Sequence, residues 1–593
     1  MKDFLKYTLA TVTGLVLTGV VFFIFGIVAL LGMTFSEPAA TQVTPHSVMM
    51  LQLKGSLTER SQEDPLAFLL GDTYQGYGLN DVLAAIRKAK EHPDIEGIYI
   101  QAGYLNAGFA SLEEIRNALL DFKESGKSIV TYADTYTQGL YYLSSVADKV
   151  LLNPKGMIEW KGLAASPVFY KELLEKVGVE MQVFKVGTYK SAVEPYIATE
   201  MSDANREQVS MYIHSIWQHM VKQVAEARQQ TPQRLNEAAD EMLMFQPAEK
   251  CLTYGLADAL VYKDEVEDLL KQQCGLSEDD EVNYLSLEAM KHLQNAQPKD
   301  KSGQIVAVYY ASGQIVDYAV ESPLTAGNEP MIVANKVIAD LKKLQKNDDV
   351  KAVVLRINSP GGSAYASEQI WHAVSQLKRE KPVIVSMGDY AASGGYYMAC
   401  NADTIVAQPT TLTGSIGIYG MFPNTQKLTE KLGVHFDGVK TNRYADFGSF
   451  GRGLNEGEKG LMQRYVNEGY DLFLTRCANG RLMTKEAVDK VAQGRVWTGA
   501  DALERGLVDV LGGLDTAIGI AARKAQVESY TLQAFPKQSG FLEALLEMNP
   551  TVYLQRMYLG GQAAELYSTL QRINHWDCYD PIQAIVPYDL SIH

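Results

Sequence analysis

Laid on itself with a shift of 255 positions, the 593-residue chain repeats. V-A-D-K-V-L-L-N-P (Val146 to Pro154) falls on N-A-D-T-I-V-A-Q-P (Asn401 to Pro409). The same shift pairs Asp94 with Asp349, Asp134 with Asp389, Gly139 with Gly394, and Tyr141-Tyr142 with Tyr396-Tyr397. E-K-V-G-V (Glu175 to Val179) faces E-K-L-G-V (Glu430 to Val434), and after a small gap Y-G-L-A-D ending at Asp258 faces R-G-L-V-D ending at Asp509. A repeat of roughly 220 residues means one plan built twice, and a chain this long can close two hydrophobic cores.

Within each copy a helix-period stretch leads into a short β-branched run such as Val350 to Ile357. A turn, a helix pattern, a second β run (Val383 to Ser386) and another turn and helix follow. Strands alternating with helices predict α/β units around a largely parallel sheet. The expected division is a first copy over 47–275, a solvated connection over 276–302, a second copy over 303–530 and a tail over 531–593. The connection is marked by Glu278-Asp279-Asp280-Glu281 and N-A-Q-P-K-D-K-S-G. The tail matches nothing in the repeat, although Tyr553 to Leu570 has helical spacing, and its sequence attaches it to no function.

Residues 1–35 precede the first copy. Lys2 and Lys6 stand before an uncharged apolar stretch from Tyr7 to Met33, long enough to cross a bilayer as a helix. It is longer than the apolar core of a cleavable signal peptide, so a transmembrane helix is expected, with Ala39-Ala40 as the small residues that cleavage would need. The two lysines hold the short end in the cytoplasm and send the rest of the chain across. A net charge of -16 without a long Lys/Arg run argues against a nucleic-acid partner. Five scattered cysteines without a C-x-x-C pair indicate neither a disulfide framework nor a zinc site.

The chemistry points to the second copy. V-L-R-I-N-S-P-G-G (Val354 to Gly362) ends a strand in a turn whose glycines let backbone N–H groups approach a ligand, as an oxyanion hole requires. M-G-D-Y-A-A-S-G-G-Y-Y (Met387 to Tyr397) sets one hydroxyl, Ser393, among small residues between a strand and a helix. Two readings of Ser393 stand side by side: a helix cap and an exposed nucleophile. In the first copy Ser393 aligns with Gln138, and Ser359-Pro360-Gly361-Gly362 aligns with Tyr104-Leu105-Asn106-Ala107. The fold is kept twice and this constellation once.

None of the nine histidines sits in a motif of the Ser-His-Asp kind. V-G-T-Y-K-S-A-V-E-P-Y (Val186 to Tyr196) places Lys190 among small and apolar residues, where the second copy has Ala445. Lys190 also has two readings: a surface lysine on a Gly-Thr turn, or the base of a composite site built from both copies. An ordinary lysine is neutral in only about one molecule in 2500 at pH 7. Bringing its pKa to about 7–8 takes roughly 4 kcal/mol, which burial among apolar groups supplies.

With T-G-S-I-G (Thr413 to Gly417), these motifs resemble the long, duplicated form of the signal peptide peptidase A (protease IV) family, over nearly the whole chain to about residue 530. The resemblance implies tandem Clp protease/crotonase-like α/β domains behind an N-terminal transmembrane helix. It implies Ser393 as nucleophile, Lys190 as base, Gly361 or Gly362 with Gly394 as oxyanion donors, and Ser415 orienting the lysine. The implied activity is a serine endopeptidase that degrades remnant signal peptides after signal peptidase has released them, with no metal or organic cofactor. The implied form is a homotetramer in the bacterial inner membrane, single-pass, with its catalytic region on the periplasmic or extracytoplasmic side. Two other classes compete. A crotonase-like acyl-CoA enzyme is disfavoured by the anchor and by the setting of Ser393, and a silent membrane scaffold by the retention of both Ser393 and Lys190.

Overall fold

The computed structural model describes residues 43–61, 76–293, 302–318, 330–449, 451–538 and 582–585, with scattered helical positions between 6 and 22. Among the described residues no helix is long and apolar enough to cross a membrane. The expected span from Tyr7 to Met33 lies largely outside the described residues, and the helical spacing at Tyr553 to Leu570 wholly so.

Two sheets carry the repeat. In the first, strands lie in the order Asn283–Ser286, Ser47–Thr58, Ile95–Asn106, Ser128–Tyr136, Lys149–Ile158 and Ala259–Leu260, every pairing parallel. In the second the order is Thr531–Phe535, Ile305–Ser312, Val350–Ser359, Val383–Ala392, Thr404–Ala407 and Val510–Leu511, again parallel. The two orders correspond strand for strand. Central strands such as Val350–Ser359 are buried along almost their whole length, because helices cover both faces of a parallel sheet.

The repeat runs further than its sequence matches. Asn283–Ser286 and the helix Leu287–His292 fall in the stretch expected as a solvated connection over 276–302, and they complete the first unit instead. Thr531–Phe535, expected in the tail, is the second unit's counterpart, so that unit ends at 535 rather than 530. Both are edge strands. In Asn283–Ser286 only Leu285 is buried, and Thr531–Phe535 has no fully buried residue, so neither carries the apolar alternation that marks a strand.

The aspartates matched between the copies do structural work. Asp148 accepts the Ile129 N–H and Asp403 the Val383 N–H, each at 2.8 Å. Asp258 accepts from Val150 and pairs with Arg228, as Asp509 accepts from Ile405 and pairs with Arg481. Each carboxylate ties a strand end to its neighbour, which both copies need whether or not either is catalytic.

A third sheet joins the copies. Its order is Met331–Val333, Gln314–Val316, Gly361–Ser363, Ile582–Ile585, Tyr419–Asn424 and Glu180–Lys185. Glu180–Lys185, from the first copy, runs antiparallel to Tyr419–Asn424 over its full length. Phe184 is buried in the second copy's core, and Ala392, Leu412 and Val496 in the first's. Polar contacts lock the same interface. Arg356 meets Glu59 at 2.8 Å and Glu114 at 2.7 Å, and Asp389 accepts from the N–H and hydroxyl of Ser111.

Candidate active site

Ser393 ends the strand Val383–Ala392 and precedes the helix Gly394–Ala399. Its backbone sits at φ 55°, ψ -112°, a conformation that L-residues rarely adopt and that strand-to-helix nucleophile turns use to hold a side chain proud of the sheet. The strain is held from both sides. Ser393 N–H donates to the Gly414 carbonyl, and the Ser393 carbonyl accepts from Tyr397, both at 2.8 Å.

Lys190 reaches this serine across 203 residues of chain. The strand Glu180–Lys185 carries the first copy onto the second; Val186 N–H then donates to Ile418 and Tyr189 N–H to Gln493, which lays the following loop against the serine turn. Gln208 braces that loop, donating to the Tyr189 carbonyl and the Ser191 hydroxyl while accepting from Val496 of the second copy. Lys190 Nζ lies 2.8 Å from Ser393 Oγ, 3.1 Å from Ser415 Oγ and 3.2 Å from the Ser415 carbonyl.

Lys190, Ser393 and Ser415 are all fully buried. The acceptors around Lys190 are uncharged oxygens, and burial without a carboxylate partner holds its ammonium well below the ordinary lysine range. A neutral amine at 2.8 Å from a hydroxyl is placed to take its proton.

The glycines divide. The Gly361 N–H donates to Ser359 Oγ at 3.2 Å. Gly362 is a strand residue beside the site, and a Cβ built on Gly361 would lie 2.9 Å from the Gly394 nitrogen, so the glycine turn and the serine turn are in contact. Every residue singled out from the sequence, namely Ser393, Lys190, Gly361, Gly362, Gly394 and Ser415, therefore lies in one place.

The first copy's equivalents have other occupations. Gln138 accepts the N–H groups of Lys161 and Gly162, and Tyr104 and Ala445 are exposed.

Sequence reasoning missed Gln208, Gly494 and the buried Arg356. The last carried a signal, since a charge in the middle of V-V-L-R-I-N must find a buried partner. Gly494 has φ +76°, and a Cβ there would stand 2.7 Å from the Lys190 backbone nitrogen. Gly494→Ala adds strain of more than about 1 kcal/mol and displaces the lysine, so kcat/KM for peptide hydrolysis is expected to fall about 100-fold while the fold is retained. A variant with wild-type kcat/KM would show that the close approach does not position the base.

Comparison with known proteins places the whole chain in a family. The profile of Peptidase family S49 matches residues 121–277 and 375–528, one segment in each copy, and the Clp protease profile matches 326–412. Protease 4 of Salmonella typhi is 36% identical over 544 residues, covering 89% of this chain and 86% of that one. Protease 4 of Haemophilus influenzae is 34% identical, covering 84% and 82%. The chloroplastic serine protease SPPA of Arabidopsis thaliana is 34% identical, covering 82% and 70%. With the family's profile matched in both halves and relatives similar over most of their length, this chain belongs to peptidase family S49 and is a serine peptidase with the family's domain present twice.

Proposed function

We propose that the chain is a membrane-anchored endopeptidase that cuts signal peptides already released from their proteins, with Ser393 as nucleophile and Lys190 as general base. The 2.8 Å contact between a fully buried lysine and a serine on a strained turn carries this reading. A scaffold without activity would gain stability by losing an unpaired buried lysine, and this chain keeps it.

Neutral Lys190 takes the Ser393 proton as Oγ attacks the peptide carbonyl. The resulting ammonium gives that proton to the leaving amine, and water then releases the acyl group by the same route. Because Ser359 occupies the Gly361 N–H, Gly362 and Gly394 are the better-placed oxyanion donors. Ser415 holds the amine through its hydroxyl and carbonyl. Beside the serine turn, Gly361–Ser363 and Tyr419–Asn424 each pair with one extended strand lying between them, Ile582–Ile585, an arrangement that suits recognition of extended chain and not of a folded domain.

Residues 7–33 supply the single-pass anchor in the bacterial inner membrane, and Lys2 and Lys6 keep the short end cytoplasmic, with the peptidase on the periplasmic side. The assembly is a homotetramer, as the family resemblance implies, and light scattering of the solubilised protein checks it. The deciding experiment is digestion of a synthetic apolar signal peptide, beside a folded protein, by the detergent-solubilised chain across pH 6 to 10. The peptide is expected to be cut and the folded protein spared, with kcat/KM rising with pH through the lowered lysine pKa because only the neutral amine is a base. A peptide left intact, or a rate that falls with pH over that window, overturns the reading.

A further inference from the structure

The atoms that meet the Lys190 amine are the uncharged oxygens of Ser393 and Ser415. Charged groups nearby are engaged elsewhere: Glu194 accepts from Ser202 and Asn205, Glu207 pairs with Arg495, and Lys185 donates to the Lys190 carbonyl. A long side chain with free torsions meets a hydroxyl at 2.8 Å only if the backbone beneath it is fixed. That backbone, residues 186–193, runs in turns and bends, so its place is set by what packs against it.

Two side chains flank the lysine. Gln208, fully buried on the helix Asp203–Arg228, donates through Nε2 to the Tyr189 carbonyl and the Ser191 hydroxyl, each at 2.9 Å, on either side of Lys190. Its Oε1 accepts the Val496 N–H at 3.2 Å. The Arg495 guanidinium lies over the rings of both Tyr189 and Trp497, 4.5 Å from each centroid, and donates to the Tyr189 hydroxyl at 3.1 Å. The main chain of Arg495 and Val496 reaches the serine side. The Arg495 carbonyl accepts the Ser415 N–H at 2.7 Å, and Val496 pairs with Gly414, whose carbonyl accepts the Ser393 N–H. Base and nucleophile are thus tied to one short piece of chain.

The duplicate separates these contacts from those that any copy of the fold needs. The helices Asp203–Arg228 and Glu456–Arg481 are each 26 residues long, and where the first has Gln208 the second has Leu461, which is exposed. Gln493 and Met242 share a positive φ, 54° and 53°, and two residues further on Arg495 stands against Met244. At each position the polar side chain is the one that meets the lysine loop, and the duplicate carries an apolar residue.

We infer that Gln208 and Arg495 are positioning residues of the peptidase: acting through the lysine loop, they set the distance and direction at which the Lys190 amine meets Ser393 Oγ. The inference rests on the Ser393–Lys190 reading. Without them the loop shifts, and a displacement of about 1 Å slows proton transfer about 100-fold. Water also reaches the loosened amine and relieves the desolvation that keeps it neutral. Their contacts are with the loop and not with the strands Gly361–Ser363 and Tyr419–Asn424, so the effect falls on kcat.

The test is kcat and KM of the full-length solubilised protein for the synthetic apolar peptide from pH 6 to 10. The variants are Gln208→Leu, Arg495→Met, the two combined, and Ser191→Ala, which removes one Gln208 contact with little change in volume. At pH 7 kcat is expected to fall about 100-fold in Gln208→Leu and about tenfold in Arg495→Met and in Ser191→Ala, with KM within about twofold of wild type. The combined variant is expected to lose less than the product of the two losses, because both side chains hold one loop. The midpoint of the rise of kcat with pH is expected to move upward in Gln208→Leu, towards the ordinary lysine range. A Gln208→Leu chain with wild-type kcat overturns the inference, as does a loss confined to KM or a loss of kcat with the midpoint unmoved, which a merely structural contact would give. If Gln208→Leu does not fold, Ser191→Ala decides: a tenfold loss with a raised midpoint supports the inference, and wild-type kcat and midpoint overturn it. If Lys190→Met cuts the peptide at the wild-type rate, the dyad reading falls and this inference with it; if Lys190→Met is inactive and Gln208→Leu is unimpaired, this inference alone falls.

Discussion

Ser393→Ala and Lys190→Met are each expected to lower kcat by about 10⁴-fold or more in single-turnover peptide hydrolysis, with the double variant no worse than either single one. In the proposed mechanism the two groups perform one proton transfer over 2.8 Å, so removing either removes the whole step and the losses do not add. A residual rate remains from the backbone donors at Gly362 and Gly394.

The lysine variant carries a second expectation that separates this site from a structural lysine. Burial holds the Lys190 ammonium below its ordinary range, so between its folded and unfolded pKa values the unfolded chain binds more protons, and stability rises with pH across that window. Lys190→Met removes the burial penalty and is expected to stabilise the fold by about 1–4 kcal/mol at neutral pH, with the gain shrinking as the ordinary lysine range is approached. Thermal melts at pH 7 and pH 10 check this. A Lys190→Met chain that keeps more than a tenth of its activity, or melts lower than wild type at pH 7, refutes the assignment.

The site was legible because the chain is written twice. Ser393 opposite Gln138 and Lys190 opposite Ala445 mark what one copy lost and the other kept, and the folded chain brings the two survivors together. The parallel sheets were legible for the same reason as in any α/β chain, since their central strands are β-branched runs buried along almost their whole length. Edge strands were not. Asn283–Ser286 lies in acidic, polar sequence, and Ile582–Ile585 is four residues between Pro581 and Pro587, too short for any period to show. Both are held by backbone pairing to strands far away in sequence, which leaves little imprint on side-chain identity. Asp389 was read only as the repeat partner of Asp134 and as part of the G-D-Y-A-A-S motif. Its work is at the start of the helix Phe109–Lys123, where it accepts from Ser111 of the other copy.

Arg356→Met is expected to be the most damaging change outside the dyad. Arg356 is fully buried and meets Glu59 and Glu114 of the first copy, while also donating to Ser386 and Met387 in its own sheet. Burial already pushes the Glu114 carboxyl upward against the pull of this guanidinium. Removing the cation leaves two carboxylates in the interior without their counter-charge, a loss of about 3–5 kcal/mol. For a chain of this length that is a fall of about 2–4 °C in Tm if the two copies melt together. The interface it weakens delivers Lys190 to Ser393, so kcat/KM is expected to fall about 100-fold as well. The pH dependence identifies the cause. In the variant the Glu114 carboxyl, already pushed up by burial and now without the guanidinium, binds its proton more tightly folded than unfolded, so stability is recovered below the ordinary glutamate pKa and lost as pH rises above it. The Tm deficit should therefore be smaller at pH 5 than at pH 8, and adding Glu59→Gln and Glu114→Gln should remove most of it. A deficit that is equal at both pH values, or that survives the two added substitutions, would assign the loss to packing instead of charge.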